Sequence, residues 1–384
     1  MGKIIRVTTV PKSLGGLLQG QLKFMSKYYT IIGISSDGDG HLSKVSEVEE
    51  IDVIRVEMTR KITPFADLKA VIQLYKIFKA HQPEIVHSHT PKAGTLSMIA
   101  AKLAGVPHRL HTIAGLPLLV ATGAKRKLLD VVEKITYSCA TMIYPNSFGL
   151  EEIIIQNKYT TKDKLKVIGN GSSNGIETSH FDPALYTDEA KNALKKELSI
   201  ADTDTVIVYV GRLVKDKGVN ELIAAFKKLS DERSDVKLLL VGIRENHLDP
   251  LLPITEAEID SNTNIIFAGW QNDVRPYFAI SDVLAFPSYR EGFPNVVMQS
   301  ASMGLASIVT DINGCNEIIT DGHNGKIIPV RNADALYTAI KELIDNEELR
   351  EQLASNARSS ITSRYERKLV WEKLLEEYRS LLGE

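Results

Sequence analysis

Short apolar runs alternate with helical patterns along most of the 384-residue chain, in two series separated by a single break. Ile4–Thr9, Tyr29–Ser35, Asp52–Val56, Glu84–Ser88, Arg109–Ile113 and Thr141–Pro145 read as strands of the first series. Helical spacing over Gly16–Lys27, Pro64–Lys79, Lys92–Ala104 and Ala124–Ser138 fills its gaps. In the second series the strands are Thr205–Val210, Lys237–Val241, Asn264–Phe267, Asp282–Phe286, Ser307–Thr310 and Lys326–Pro329, with helices near Val219–Ser230, Val274–Ala279 and Asn295–Met303. Parallel neighbours need a long crossover, so this alternation predicts parallel sheets covered on both faces. The break is Gly169–Gly175, rich in residues that end strands and admit unusual backbone angles. The expected fold class is therefore α/β, with two Rossmann-like, doubly wound domains over residues 1–178 and 179–362. Residues 363–384 form a last helix, whose apolar stripe of Trp371, Leu374, Leu375, Tyr378, Leu381 and Leu382 reads as core packing. Open parallel sheets bind ligands at the carboxyl ends of their strands, so two facing domains would put the site in the cleft between them.

Composition narrows the function. Lys+Arg 46 against Asp+Glu 48 leaves a net charge of −2, without the basic excess of a general nucleic-acid binder. Hydrophobic residues, at 43%, suffice for two cores. Cys139 and Cys315 lie far apart without metal-ligand spacing, and read as buried thiols of a reducing cytosol. The run from Met1 to Val10 is too short for a signal peptide, and no stretch approaches the roughly 18 apolar residues of a membrane span. A cytoplasmic chain is expected, at most peripheral on a membrane.

Chemistry-bearing residues concentrate after two strands of the second series. Behind Asp282–Phe286 comes Pro287-Ser-Tyr-Arg-Glu-Gly-Phe-Pro294, then a helix from Asn295 carrying Gln299 one turn above it. The free N–H groups near Asn295 and Val296 favour phosphate or hydroxyl oxygens, and Glu291 stands just outside that helix start with Gly292 and Phe293. Taken alone, the segment reads as a strand-to-helix turn with a solvated acid. Behind Thr205–Val210 comes Gly211-Arg-Leu-Val-Lys-Asp-Lys-Gly218, where Arg212 offers a bidentate fork and Lys217 a compact charge, a competent pyrophosphate clamp or else a solvated basic turn. Asp37-Gly-Asp39 and Asp202-Thr-Asp204 have the spacing of a metal-binding pair but read as turns.

The order Pro-Ser-x-x-Glu-Gly-Phe-Pro, a small-residue helix and the strand Ala306–Thr310 together resemble the glutamate signature of retaining GT-B glycosyltransferases, specifically family 4. The Gly-Arg-Leu…Lys-Gly pattern resembles that family's second signature. The resemblance covers most of the chain and is densest from Gly211 to Glu317. It implies a GT-B fold whose last helix returns to the first domain, an interdomain site, and metal-independent transfer of a hexose or N-acetylhexosamine from a nucleotide-sugar, UDP-linked above all. No cofactor is implied. Arg212 and Lys217 would bind the diphosphate and Glu291 the sugar hydroxyls. Gly15, Gly16 and Gly211 would let backbone approach phosphate, and Gly292, Phe293, Asn295 and Val296 would border the donor. Two departures stand out. Gln299 occupies the place of the family's second glutamate, which accepts from the ribose, and Ala114 that of a histidine found in many members.

The acceptor, a glycan or a polyprenyl-diphosphate-linked sugar of capsule, O-antigen or lipid-linked oligosaccharide assembly, would lie on the first domain. His87, His89 and His111 at strand ends are candidates for contacts there. Lys125, Arg126 and Lys127 ahead of an apolar helix are either a solvated helix start or a dock for a lipid diphosphate acceptor at the surface of the inner membrane, on its cytoplasmic face, where anionic headgroups attract such clusters. Two alternatives share the pattern: a nucleotide-sugar 2-epimerase, and a nucleotide-sugar binding protein without turnover.

Overall fold

A computed structural model describes residues 2–384 apart from Pro117, Leu119, Val120, Asn246 and Leu248. Contacts divide the chain into two compact units, Met1–Gly175 with Arg367–Glu384, and Ile176–Glu366.

The first unit runs β1 (Lys3–Val7), α1 (Pro11–Leu17), α2 (Gln21–Met25), β2 (Thr30–Ser35), α3 (His41–Glu49), β3 (Asp52–Arg55), α4 (Pro64–His81), β4 (Ile85–His89), α5 (Pro91–Ala104), β5 (His108–Ile113), α6 (Gly123–Cys139), β6 (Met142–Pro145) and α7 (Phe148–Gln156). Its six strands are parallel in the order β3-β2-β1-β4-β5-β6. Alternate residues supply the two faces. Ile5, Val7 and Val86 meet the buried sides of α4, α5 and α6, while Ile4, Ile31 and Ile85 meet Leu14, Leu22 and Leu42 on the other face.

The second unit runs α8 (Asp188–Glu197), β7 (Thr205–Val210), α9 (Val219–Glu232), β8 (Val236–Val241), α10 (Pro253–Ser261), β9 (Ile265–Gly269), α11 (Arg275–Ala279), β10 (Val283–Phe286), α12 (Asn295–Ser302), β11 (Ala306–Thr310), α13 (Cys315–Ile318), β12 (Gly325–Ile328), α14 (Ala333–Asp345) and α15 (Glu347–Tyr365). It repeats the design, with parallel order β12-β11-β10-β7-β8-β9. The last helix, α16 (Arg367–Leu382), belongs to the first unit, where Leu374, Leu375 and Tyr378 join Ile4 and Leu110.

All twelve strands fall where the apolar runs place them, to within two residues. Helices were less legible. Short helices with few buried positions, such as α3 with Leu42 and Val45 inside, carry little periodic signal, and the Ile153–Ile155 run in α7 has the composition of a strand. The helix expected over Gly16–Lys27 is two pieces, because Pro11 starts α1 early and Gly20 breaks the path before α2. Gly15 and Gly16, expected where backbone could approach phosphate, both lie inside α1. A Cβ on Gly15 would stand 2.9 Å from Val45 Cγ2, so this glycine serves close packing of α1 on α3.

Candidate functional site

In the second unit strand order reverses between β7 and β10, and the loops leaving the carboxyl ends of these neighbours are the two chemistry-bearing segments. The first passes Gly211 and Arg212 into a short 3-10 turn, Lys215–Lys217, and then Gly218 at φ +70° ahead of α9. The second passes Pro287 to Pro294 into α12. Backbone and side chains lock them together. Tyr289 N donates to Asp216 O at 2.9 Å, and Arg290 Nη2 reaches Asp216 Oδ2 at 2.7 Å. Lys217 Nζ donates to Glu291 Oε1 at 2.5 Å, and Ser288 Oγ donates to the same oxygen at 2.8 Å. Asn313 Nδ2, from the segment after β11, holds the Glu291 carbonyl at 2.5 Å. Lys217 and Glu291 are 17% and 16% exposed, so the pair is reachable from solvent yet sheltered enough to be weakly screened. Buried Cys315 lies close by: burial pushes its thiol up, and the Glu291 charge adds to the rise.

Arg212 turns the other way and pairs with Glu245 Oε2 at 2.7 Å. Burial lowers its proton affinity, but the hydrogen bond and charge of Glu245, with Asp216, outweigh that and hold the guanidinium above its usual value. Arg212 lines a cavity of about 420 Å³ together with Gly211, Gly242, Trp270, Asp273 and Gln299. Gly242, at the end of β8, is required by close approach: a Cβ there would stand 1.8 Å from the Gly211 carbonyl oxygen. Trp270 is 64% exposed, a broad indole presented to solvent at the cavity wall. The structure thus brings Gly211, Arg212 and Gln299 to one cavity, and Lys217 with Glu291 into one pair. Asn295 and Val296 open α12, where their N–H groups have no intrahelical acceptor. Phe293 is a core residue, its ring 5.3 Å from that of Tyr365, so only its backbone is available to a ligand.

The first-unit candidates fare differently. His87, His89 and His111 are buried. His87 bridges Tyr378 Oη at 2.6 Å and Thr112 Oγ1 at 2.7 Å, His89 Nε2 meets Arg6 Nη2 at 2.8 Å, and His111 Nδ1 meets Ser88 Oγ at 2.9 Å. Burial pushes the His87 and His89 imidazoles well below their usual range, and the His111 imidazole down to about 4, so all three are neutral near pH 7. Expected as candidates for substrate contacts at strand ends, all three are enclosed in a hydrogen-bonded core. Arg126 is also committed, to Asp130 Oδ1 at 2.8 Å, the Leu118 carbonyl, Asn157 and Tyr159, while Lys125 and Lys127 are exposed. Of the aspartate triplets, Asp37 accepts from Gly40 N at 3.2 Å and Asp204 from Ala201 N at 2.8 Å, both local turn bonds.

Glu245, Asn313 and Gly242 were absent from the sequence reading, and Ser288 stood in its motif without an assigned role. Gly242 was within reach, since it follows β8 as Gly211 follows β7. The partners of Glu245 and Asn313 lie 33 and 22 positions away in the chain, and no local pattern announces them.

Residues 190–360 match the family model described as glycosyl transferases group 1, and residues 17–147 match glycosyl transferase 4-like. The chain is 33% identical over 386 residues to the capsular polysaccharide biosynthesis glycosyltransferase CapM of Staphylococcus aureus, covering 100% of this chain and 98% of that one. It is 30% identical over 312 residues to the UDP-Gal:alpha-D-GlcNAc-diphosphoundecaprenol alpha-1,3-galactosyltransferase of Escherichia coli, covering 80% and 78%. Among solved structures, Anabaena Alr3699/HepE in complex with UDP superposes with a TM-score of 0.81 at 18% identity, covering 99% and 100%.

Proposed function

Because the chain belongs to the group 1 glycosyl transferase family and has the GT-B fold, we propose that it is a retaining, metal-independent hexosyltransferase of bacterial surface polysaccharide assembly. The donor is a UDP-hexose or UDP-N-acetylhexosamine. The acceptor is a glycan or a polyprenyl-diphosphate-linked sugar, met at the cytoplasmic face of the inner membrane. One observation carries the reading. At the β7/β10 switch point the loops leaving these two strands hold one cation, Arg212, in a cavity wall and a second, Lys217, paired with the Glu291 carboxylate. The donor and acceptor of the E. coli relative, and the UDP held by the Anabaena protein, support the choice of substrates.

In this reading Arg212 and Lys217 exchange their carboxylate partners for the donor diphosphate, and Glu291, released from Lys217, accepts from hydroxyls of the sugar. The acceptor hydroxyl attacks the anomeric carbon from the side of the leaving group. Its C–O bond forms as the bond to the diphosphate breaks, and its proton passes to the departing diphosphate oxygen. The protein's main contribution is preorganised charge at that oxygen, supplied by Arg212, Lys217 and the free N–H groups of α12.

A panel of UDP-sugars, with a synthetic polyprenyl-diphosphate-linked acceptor and EDTA throughout, tests this. The expected product keeps the donor's anomeric configuration and forms at an undiminished rate under chelation. Rescue by Mg²⁺ of an activity lost to EDTA would overturn metal independence, and a 2-epimer formed from donor alone would assign the site to an epimerase.

Gln299 keeps one acceptor oxygen where the family's glutamate has two, enough to take a ribose hydrogen bond without the charge. A neutral hydrogen bond contributes about 0.5–1.5 kcal/mol, so Gln299→Ala should weaken UDP binding roughly threefold to tenfold, and Gln299→Glu should leave it equal or modestly tighter. Calorimetric titration of UDP into the three proteins reads this directly. Unchanged affinity in Gln299→Ala would remove the ribose role.

A further inference from the structure

Both cations of the site are paired with carboxylates, and only one of those acids has a task in transfer. Glu291 leaves Lys217 to accept from the sugar. Glu245 has no such task, yet its Oε2 stands 2.7 Å from Arg212 Nη1. A carboxylate beside a phosphate-binding guanidinium opposes binding, because the ligand must either displace it or approach a like charge.

The backbone presents Glu245 to Arg212. Hydrogen bonding between β7 and β8 continues past the strand ends: Gly211 N donates to the Val241 carbonyl at 2.9 Å and Leu213 N to the Ile243 carbonyl at 2.8 Å, so that Leu213 and Arg244 form a parallel bridge. On the far side of Glu245, Asp216 N donates to Asp249 Oδ2 at 2.6 Å and Lys215 N to the Asp249 carbonyl at 3.2 Å. The loop after β8 is thus fastened to the loop after β7 both before and after this acid. Arg244 is anchored separately, to Glu256 at 2.9 Å and Asp260 at 2.7 Å, with its guanidinium over the Phe267 ring. The Glu245 side chain is 21% exposed against 43% for Arg212, so the acid is the more sheltered partner and the guanidinium keeps an open side. Arg212 lines the cavity, and Glu245 acts on it through Arg212.

We propose that Glu245 is a resident competitor for Arg212 that weakens the hold on the released nucleotide more than the hold on the donor. A terminal phosphate has a second pKa of about 6, so free UDP carries about three negative charges near pH 7, whereas a UDP-sugar, whose phosphates are both diesters, carries about two. Repulsion from a fixed carboxylate, and competition for one guanidinium, therefore grow once the sugar has been transferred and the nucleotide must leave. In the empty site the same carboxylate keeps the Arg212 side chain in place. Glu245 is a positioning residue, and the inference rests on the functional reading for the presence of a diphosphate at Arg212.

Calorimetric titration of UDP, of its β-methyl ester and of uridine tests it. The ester has the donor's charge whatever the sugar, and uridine has no phosphate. Glu245→Gln keeps the shape and an acceptor for Arg212, and should bind UDP roughly threefold to tenfold tighter than wild type. Its gain for the ester should be smaller, and its affinity for uridine unchanged. In turnover, the inhibition constant of UDP should fall by the same factor as the dissociation constant. Glu245→Asp retains the charge and should stay close to wild type. Glu256→Gln frees Arg244 in the same loop without touching Arg212, and should leave UDP affinity unchanged. Weaker UDP binding in Glu245→Gln would make the acid a support for Arg212 and overturn the proposal. Equal gains for UDP and its ester, or the same gain in Glu256→Gln, would also overturn it. UDP binding by wild type that is unaltered in Glu245→Gln would remove this proposal alone, whereas no UDP binding by wild type would remove the donor reading with it.

Discussion

Lys217→Ala should lower kcat by about 10² or more while UDP affinity falls much less, the scale for removing one preorganised charge from a departing group. Lys217 already stands 2.5 Å from a carboxylate oxygen in a sheltered loop, so its ammonium is held in place before any ligand arrives. It exchanges one anion for another without first being ordered, and that preorganisation makes its charge effective. The substitution also strips Glu291 of its cation and leaves it the hydroxyl of Ser288. Lys217→Arg keeps the charge but not its shape, and should recover part of kcat. Steady-state kinetics at saturating donor, beside calorimetry with UDP, decide the matter. A change confined to KM would mean that Lys217 binds ground-state phosphate only. In Glu291→Gln, retained UDP affinity with a sharp fall in transfer would place the carboxylate on the sugar.

Gly218→Ala should damage both halves of the site at once. The position has φ +70°, which costs an alanine roughly 1–2 kcal/mol, and its Cβ would stand 2.0 Å from the Pro287 carbonyl oxygen and 2.7 Å from its carbon. These are backbone atoms, so no rotamer change relieves the overlap, and overpacking adds about 1–3 kcal/mol. Relief must come from separating the Lys217 turn from the Pro287–Gly292 loop, which breaks the Lys217–Glu291 pair and the Asp216 contacts. A fall in transfer of at least about 10² is expected, the scale for Lys217 alone. A lowering of Tm by about 5–15 °C accompanies it, at about 2–4 °C per kcal/mol for a unit of this size. Gly322→Ala is the control, because Gly322 shares φ +70° in the same unit but has nothing within 4 Å of its absent Cβ. Equal losses in the two variants would show that backbone conformation alone, and not the contact with Pro287, sets the effect.

Strands and sheet class were legible in the sequence because a strand of a covered parallel sheet is apolar on both faces, and a short unbroken apolar run is a local signal. Thr205–Val210 and the loop behind it needed nothing from elsewhere in the chain to be read. Arg212, Lys217, Glu291 and Gln299 were legible through the order of residues in their motifs, and it was the resemblance of those motifs to a known family, more than residue type alone, that singled them out. Pairing was not local. Lys217 and Glu291 are 74 positions apart, and only the adjacency of β7 and β10 brings them together. Glu245 holds Arg212 for the same reason, across β7 and β8. Burial was decided there too. His87, His89 and His111 have the composition of a site, yet the packing of Arg6, Tyr378 and Ser88 around them makes them core, while Phe65 and Ile72, which composition would assign to a core, lie outside. A periodic pattern reports which residues share a face of an element, but which face is covered depends on what packs against it, and that is settled by contacts between segments far apart in the chain.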